Sequence, residues 1–273
     1  MDATSSIPQH ALARLKGLRG QGHTGGVFTS DLSVNEFLLV RKAGFEPVGL
    51  CIGTCIYHVG IQYGAWSRNQ ELDVLSKAMY DARELAMDRM RAEARTMGAD
   101  GVVGVRLTVR RLAWDDKVLE FMAIGTGVVH AQGHRGFLGV NGDPFTSDLS
   151  GQDFWTLLQA GYRPLEMVLG SCVYHVAHRG LLKSLTQIGQ NVELTNFSQA
   201  LYDAREIAME RMQAEALAAK AGGVVGVALT EASHVWQPHV IEFFAVGTAV
   251  LPLDRELAPD AVRDPQLVLS LNG

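Results

Sequence analysis

The chain has 273 residues, 47% of them hydrophobic and 19% charged, with a formal net charge of −5. That balance excludes a disordered chain, and the net acidity argues against a general nucleic-acid binder, which carries a basic face. No apolar run approaches the roughly 18 residues a membrane helix needs, and three cysteines are few and odd in number for a disulfide scaffold, so a reduced, cytoplasmic protein is expected.

Residues 1–27, opening MDATSSIPQHALARLKGLRG, lack the apolar core of a secretory signal and predict a flexible N-terminal segment. FTSDLS begins at Phe28 and returns at Phe145, and that offset of 117 holds to Val59 and Val176. AMYDARELAMDRMRAEA, from Ala78, then matches ALYDAREIAMERMQAEA, from Ala200, at an offset of 122 that continues through GVVGV and LEFMAIGTG/IEFFAVGTA. The chain is a tandem duplication. Copy 1 spans 28–129, a Gly- and His-containing linker 130–144, copy 2 145–251 and a C-terminal tail 252–273. Copy 2 carries a five-residue insertion between Val176 and Ala200.

Each copy opens on a short helix. Ser33-Val-Asn-Glu36 has the spacing of a capping box and Gly44 ends the helix, while Ser150-Gly-Gln-Asp153 and Gly161 repeat this with a shorter carboxylate. After Pro47 and Pro164 come β-branched strands containing CIGTCIYHV (Cys51–Val59) and VLGSCVYHV (Val168–Val176). Long helices follow at about 71–97 and 195–220, with Leu72, Leu75, Met79, Ala82, Ala86, Met90 and Met97 on one face. Arg89 and Glu93, repeated as Arg211 and Glu215, have the i,i+4 spacing of a helix salt bridge or subunit contact, with a ligand-gripping pair as the functional alternative. Val103, Val105, Leu107 and Val109 alternate with polar or small neighbours, a turn falls around Trp114–Lys117, and Leu119, Phe121 and Ala123 alternate again. The expected class is α+β: two β-α-β-β units, each behind a short helix, with one long helix on a small antiparallel or mixed sheet. Three strands leave edges uncovered, which favours oligomerisation.

Cys55 with His58, and Cys172 with His175, share the Cys-x-x-His spacing that can chelate a metal. Strand alternation sets residues three apart on opposite faces, however, and zinc takes three or four protein ligands. Cys51 is a third donor in copy 1, but Val168 replaces it in copy 2, which leaves His130, His134 and His178 as further donors. The plainer reading is a packed cysteine beside a hydrogen-bonded histidine. Glu120 and Glu242, in the last strand of each copy, are either paired carboxylates of an assembled ring or charged edge positions. No nucleophile elbow, phosphate loop, nucleotide fingerprint or zinc-protease helix is present, so no catalytic residue is assigned and a non-enzyme is expected. Arg106, Arg110 and Arg111 gather in copy 1, but Ala228, Ala232 and Ser233 occupy the matching positions, which suits a solvated strand edge rather than a nucleic-acid surface.

Tyr80-Asp-Ala82-Arg83-Glu84-x-Ala86, then Met97-Gly98-Ala99-Asp100-Gly101-Val102-Val103-Gly104-Val105 and Gly125-Thr126-Gly127, resemble the YbjQ-like domain, a family named for heavy-metal binding. Copy 2 matches through Tyr202–Glu206, Gly223–Val227 and Gly247–Val250, and departs at Lys220, for a helix-ending glycine, and at Glu166, for Gly49. The resemblance implies dodecin-like subunits that assemble into rings, usually pentamers. It implies a non-catalytic ring that holds a divalent or heavy metal or a small ligand, with a ligand-free structural scaffold as the alternative and an interface enzyme third. Five chains giving ten domains, as two stacked rings of one copy each, is the expected assembly. The tail, with Leu267, Val268, Leu269 and Leu271, is a candidate docking strand for a neighbour or a protein partner.

Overall fold

The computed structural model describes residues 7–18, 27–58, 60, 68–112, 118–177, 195–233 and 240–254. Helix α1 (Gln9–Leu18) lies in the segment expected to be flexible, and Leu15 anchors it, fully buried against the cluster that holds Cys51 and Met97. Helix α2 (Val34–Lys42) starts at a complete capping box: Ser33 Oγ accepts from the Glu36 amide at 3.3 Å and Glu36 Oε2 accepts from the Ser33 amide at 2.8 Å. Copy 1 continues through β1 (Phe45–His58), β2 (Gln70–Glu71), α3 (Asp73–Met97), β3 (Gly101–Arg111) and β4 (Val118–His130). Copy 2 runs through β5 (Phe145–Thr146), α4 (Gly151–Gln159), β6 (Tyr162–His175), α5 (Thr195–Ala218), β7 (Gly223–Ser233) and β8 (Val240–Pro252), repeating the order of copy 1 apart from the two short strands β2 and β5. The duplicated α+β architecture is the one the sequence predicts. Among the described residues no helix is long and apolar enough to cross a membrane.

Each long helix lies close on its own first strand because the contact is built from small residues. A Cβ on Gly53 would stand 1.9 Å from the Ala86 carbonyl oxygen, and one on Gly170 would stand 2.0 Å from that of Ala208. Around this approach the expected stripe is buried, with Leu75, Met79, Ala82, Ala86, Met90 and Met97 facing the sheet. At the end of α5, Lys220 takes φ 58, the left-handed conformation that Gly98 supplies in copy 1.

Within each copy the strands are antiparallel in the order β1-β4-β3 and β6-β8-β7. The last strands are therefore central, which corrects the expectation of edge positions for Glu120 and Glu242. Each three-stranded sheet gains a fourth strand from the other copy. β5 pairs in parallel with the start of β3 (Gly101 with Phe145), and β2 pairs antiparallel with the end of β6 (Gln70 with His175). Two edges thus borrow a partner.

The copies meet side by side and in one direction. Helix α3 covers its own sheet with one face and the outer face of β6 with another, so Met167, Val173 and Val240 share a cluster with Leu75, Met79 and Met87. Helix α5 makes no comparable contact with β1. As a result β6 is buried on both faces along most of its length, while β1 buries only one. The tail's apolar residues, the turn around Trp114–Lys117, most of the insertion and His178 lie outside the described residues.

Candidate functional site at the junction of the two copies

The junction is centred on a buried ion pair. Arg83 Nη1, on α3, donates to Glu242 Oε1 on β8 at 2.6 Å, and both side chains are 4% exposed. Ser171 completes the set: its hydroxyl accepts from Arg83 at 3.2 Å and donates to Glu242 at 3.0 Å. The guanidinium lies over the Phe244 ring of copy 2 at 4.3 Å and near the Phe121 ring of copy 1 at 5.7 Å. Such a pair holds two copies in one register, because either charge alone would be buried without compensation.

Around this centre the free edge of β6 is closed, one backbone group after another. The Val173 amide donates to Ser76 Oγ at 2.8 Å, and its carbonyl accepts from the Leu72 amide at 2.8 Å. Leu169 donates to Glu215 Oε2 at 2.7 Å, and the Ser171 carbonyl accepts from Arg211 at 2.7 Å. Arg211 is in turn gripped by Glu71 from copy 1, and the Tyr80 hydroxyl donates to Glu215 Oε1. Between α3 and α5 a cleft of about 510 Å³ remains, lined by Asp73, Ser76, Lys77, Tyr80, Arg211 and Glu215. Burial pushes the Glu215 carboxyl up to about 7, helped by the carboxylates of Glu84 and Glu166 and opposed by the donors from Leu169 and Tyr80. It therefore exchanges a proton near neutrality. Burial also raises the Tyr80 hydroxyl, with the Glu215 carboxylate adding to the effect. In copy 1 the corresponding space beside Glu93 is taken by α1, whose Arg14 comes within 3.8 Å of that carboxylate.

Arg89, Glu93, Arg211 and Glu215 do not form the i,i+4 pairs their spacing predicts. Glu93 accepts from the Ile52 amide at 2.9 Å and Arg89 donates to the Thr54 carbonyl, so each pair clamps the edge strand of its own copy. Backbone groups on a partly buried edge must be satisfied, and these side chains are the groups within reach. In copy 2 the same pair also receives Tyr80 and Glu71 from copy 1, a contact between the two copies of one chain.

The Cys-x-x-His residues do not converge. Cys55 is buried on the inner face of β1 while His58 is exposed on the outer face. Cys172 and His175 are both buried, again three residues apart on one continuous strand, and His175 Nδ1 donates to the Arg68 carbonyl at 3.3 Å. Burial raises both thiols above their ordinary value. Among the described residues no group of three or more His, Cys, Asp or Glu side chains is placed to hold a metal ion. The heavy-metal group that the family name implies therefore does not fit these residues.

Sequence reasoning misses Tyr80, Arg83 and Ser171 as site residues. The available signal is the repetition of Tyr80-Asp-Ala-Arg83 as Tyr202-Asp-Ala-Arg205 on a helix face that the apolar stripe does not need.

Fold and junction together define a tandem pair of β-α-β-β domains joined through strand exchange and a buried salt bridge. The model of the YbjQ family, described as "putative heavy-metal-binding", matches residues 69–131 and 161–252, and the chain belongs to that family. It is 48% identical over 228 residues to an encapsulin nanocompartment protein of Mycobacterium tuberculosis, covering 84% of this chain and 87% of that protein. A protein of Halorubrum lacusprofundi from the group designated UPF0145 is 47% identical over 99 residues, which are 34% of this chain but 93% of the relative. A UPF0145 protein of Streptomyces coelicolor is 34% identical over 109 residues, 39% of this chain and 96% of the relative. One stretch about as long as a single copy thus accounts for nearly all of each shorter relative.

Proposed function

We propose that this protein is a non-catalytic, self-assembling protein of the reduced cytoplasm whose unit of assembly is the contact between its own two copies. The observation that carries this is the Arg83–Ser171–Glu242 network, buried between domains that each lend the other a strand. The name of the Mycobacterium tuberculosis relative, an encapsulin nanocompartment protein, supports an assembling role. Three buried, unpaired cysteines suit a reducing compartment. A small polar ligand, if one is held, is better served by the junction cleft, with its hydroxyl, carboxylate and guanidinium groups, than by Cys55, His58, Cys172 and His175.

A ring built on this contact alternates copy 1 with copy 2, so it contains an even number of domains whatever the number of chains. Five chains with ten domains is compatible with that alternation. Native mass spectrometry of protein purified without a His-tag or added metal tests the reading. A defined oligomer is the expected result, and extra mass that disappears with Tyr80→Phe and Arg211→Ala assigns a ligand to the cleft. A monomer at every concentration overturns the assembly reading.

A further inference from the structure

The contact between the copies is directional, and each of its two halves recurs unfilled elsewhere on the chain. Copy 1 offers the long helix and copy 2 receives it. By the repeat, α5 is a second offering face and the outer face of β1 a second receiving face. We infer that α5 of one chain docks on the β1–β4 outer face of a second copy of this chain, bringing Ser198 to Ile56 and Arg205 to Glu120 as α3 brings Ser76 to Val173 and Arg83 to Glu242. This rests on the assembly reading above and specifies the surfaces that would carry it.

Four observations, each at matched positions, support it. On the receiving strand the edge-facing groups of Val173 are met by Ser76 and Leu72. Their counterpart Ile56 is 61% exposed, and no hydrogen bond from the described residues reaches its edge-facing amide. On the offering helix, Ser76 and Arg83 are buried, whereas Ser198 and Arg205 are partly exposed and Tyr202 is 56% exposed. Arg205 now rests against its neighbours Tyr202 and Glu206, and Glu120, the counterpart of Glu242, is held by Arg110 at 3.1 Å. Both are exposed pairs that contribute little and exchange readily. Thr54 stands for Ser171 and keeps a hydroxyl between the two charges.

The third observation is a ring without its seat. Phe145 of copy 2 lies on Gly101 so closely that a Cβ there would meet the ring at 2.1 Å, while a Cβ on the matching Gly223 would meet nothing within 4 Å. Beside Gly223 an apolar cleft of about 390 Å³ lies open, lined by Met209, Met212, Ala216, Leu217 and Val224 among others. The counterpart of Phe145 is Phe28, 39% exposed and stacked on Phe37 at 5.5 Å much as Phe145 stacks on Phe154 at 5.8 Å. The fourth is the sheet edges. β3 is covered by β5 and β6 by β2, which leaves β1 and β7 as the uncovered ends of the two sheets. A second copy supplies both needs through one contact, with Phe28–Thr29 along the start of β7 and α5 along β1. The repeat is not exact at this contact: Met122 stands for the Phe244 ring that lies under Arg83, and α1, through Arg14, fills the space beside Glu93 that Tyr80 takes beside Glu215. At the short helices Val34 stands where Gly151 touches Glu36, and the shorter Asp153 stands where Glu36 does. The short helices therefore sit farther apart between chains than within one.

Disulfide trapping in the full chain tests this. Ser76→Cys with Val173→Cys should close within one chain and leave its mass on a non-reducing gel unchanged. Ser198→Cys with Ile56→Cys, the same geometry by repeat, should give a ladder of linked chains under the same oxidation. A charge reversal provides the second test: Arg205→Glu should reduce the assembly to single chains by light scattering, and adding Glu120→Arg should restore it. An oligomeric wild type with no Ser198–Ile56 ladder, or with an assembly indifferent to Arg205→Glu, overturns this interface while leaving self-assembly intact. A wild type that never exceeds one chain removes both.

Discussion

Helices α3 and α5 carry nearly the same sequence and have different surroundings. In α3, Leu75, Ser76, Met79, Arg83, Met87 and Glu93 are all buried, whereas their counterparts Phe197, Ser198, Leu201, Arg205, Met209 and Glu215 are only partly so. The sheets show the inverse, β6 being covered on both faces and β1 on one. Similar residues thus make a core in one copy and a surface in the other, and what decides is the presence of a neighbour. An arginine on a helix face is neither a surface nor a core residue until its partner is counted.

The sharpest way to break that comparison is to remove the two matched arginines in turn. Arg83→Ala leaves Glu242 charged and buried, and a broken buried pair costs about 3–5 kcal/mol, so the urea midpoint should fall steeply at every protein concentration. Arg205→Ala removes an exposed pair, for which a loss within about 0.5 kcal/mol is expected in the single chain. Any larger cost should appear only as protein concentration, and with it association, rises. Equal, concentration-independent losses would mean that burial does not distinguish the copies.

A second contrast lies in the paired glutamates. Glu215 has its pKa raised from 4.5 to about 7, so the folded junction holds a proton that the unfolded chain releases. Its contribution to stability is complete below pH 4.5 and is lost as pH rises through 7, a change of roughly 3 kcal/mol. Glu215→Gln stays neutral throughout and should gain on the wild type between pH 5 and pH 8. Burial raises Glu93 too, but Arg14 and the Ile52 amide oppose the shift, so Glu93→Gln should show the smaller slope. Urea midpoints at the two pH values check both, and a wild-type-to-variant difference at position 215 that stays flat with pH rejects the assignment.

Much of the fold was legible because it rests on local periodicity. The offsets between repeats, the 3.6-residue stripe of α3 and the alternation in β3 and β4 each follow from one stretch of chain. The separation of Cys55 from His58 was legible for the same reason, since a strand's period of two fixes it. The junction was not. Arg83 meets a carboxylate 159 positions away, and Tyr80-Asp-Ala-Arg83 reads the same as Tyr202-Asp-Ala-Arg205, so nothing local marks which is buried. The i,i+4 spacing of Arg89 and Glu93 misled because the amide of Ile52 and the carbonyl of Thr54 are within reach, and edge backbone groups take precedence over a solvated ion pair.

The smallest expected effect separates a filled seat from an empty one. Gly101→Ala places a Cβ 2.1 Å from the Phe145 ring, so either the ring or strand β5 must move. Overpacking of that kind costs typically about 1–3 kcal/mol, and it should also loosen the pairing of Gly101 with Phe145 that joins copy 2 to the first sheet. Gly223→Ala meets nothing within 4 Å and requires no left-handed backbone, so in the single chain it should stabilise slightly. A gain of about 0.4–1 kcal/mol comes from the narrower freedom of alanine in the unfolded state. The same methyl group should weaken assembly, because it occupies the place where Phe28 of a second chain would lie. Thermal melts at low concentration and sedimentation at high concentration therefore move in opposite directions for Gly223→Ala. For Gly101→Ala the melt falls at every concentration. A Gly223→Ala variant that assembles like the wild type would mean the open seat beside β7 is not the one Phe28 fills.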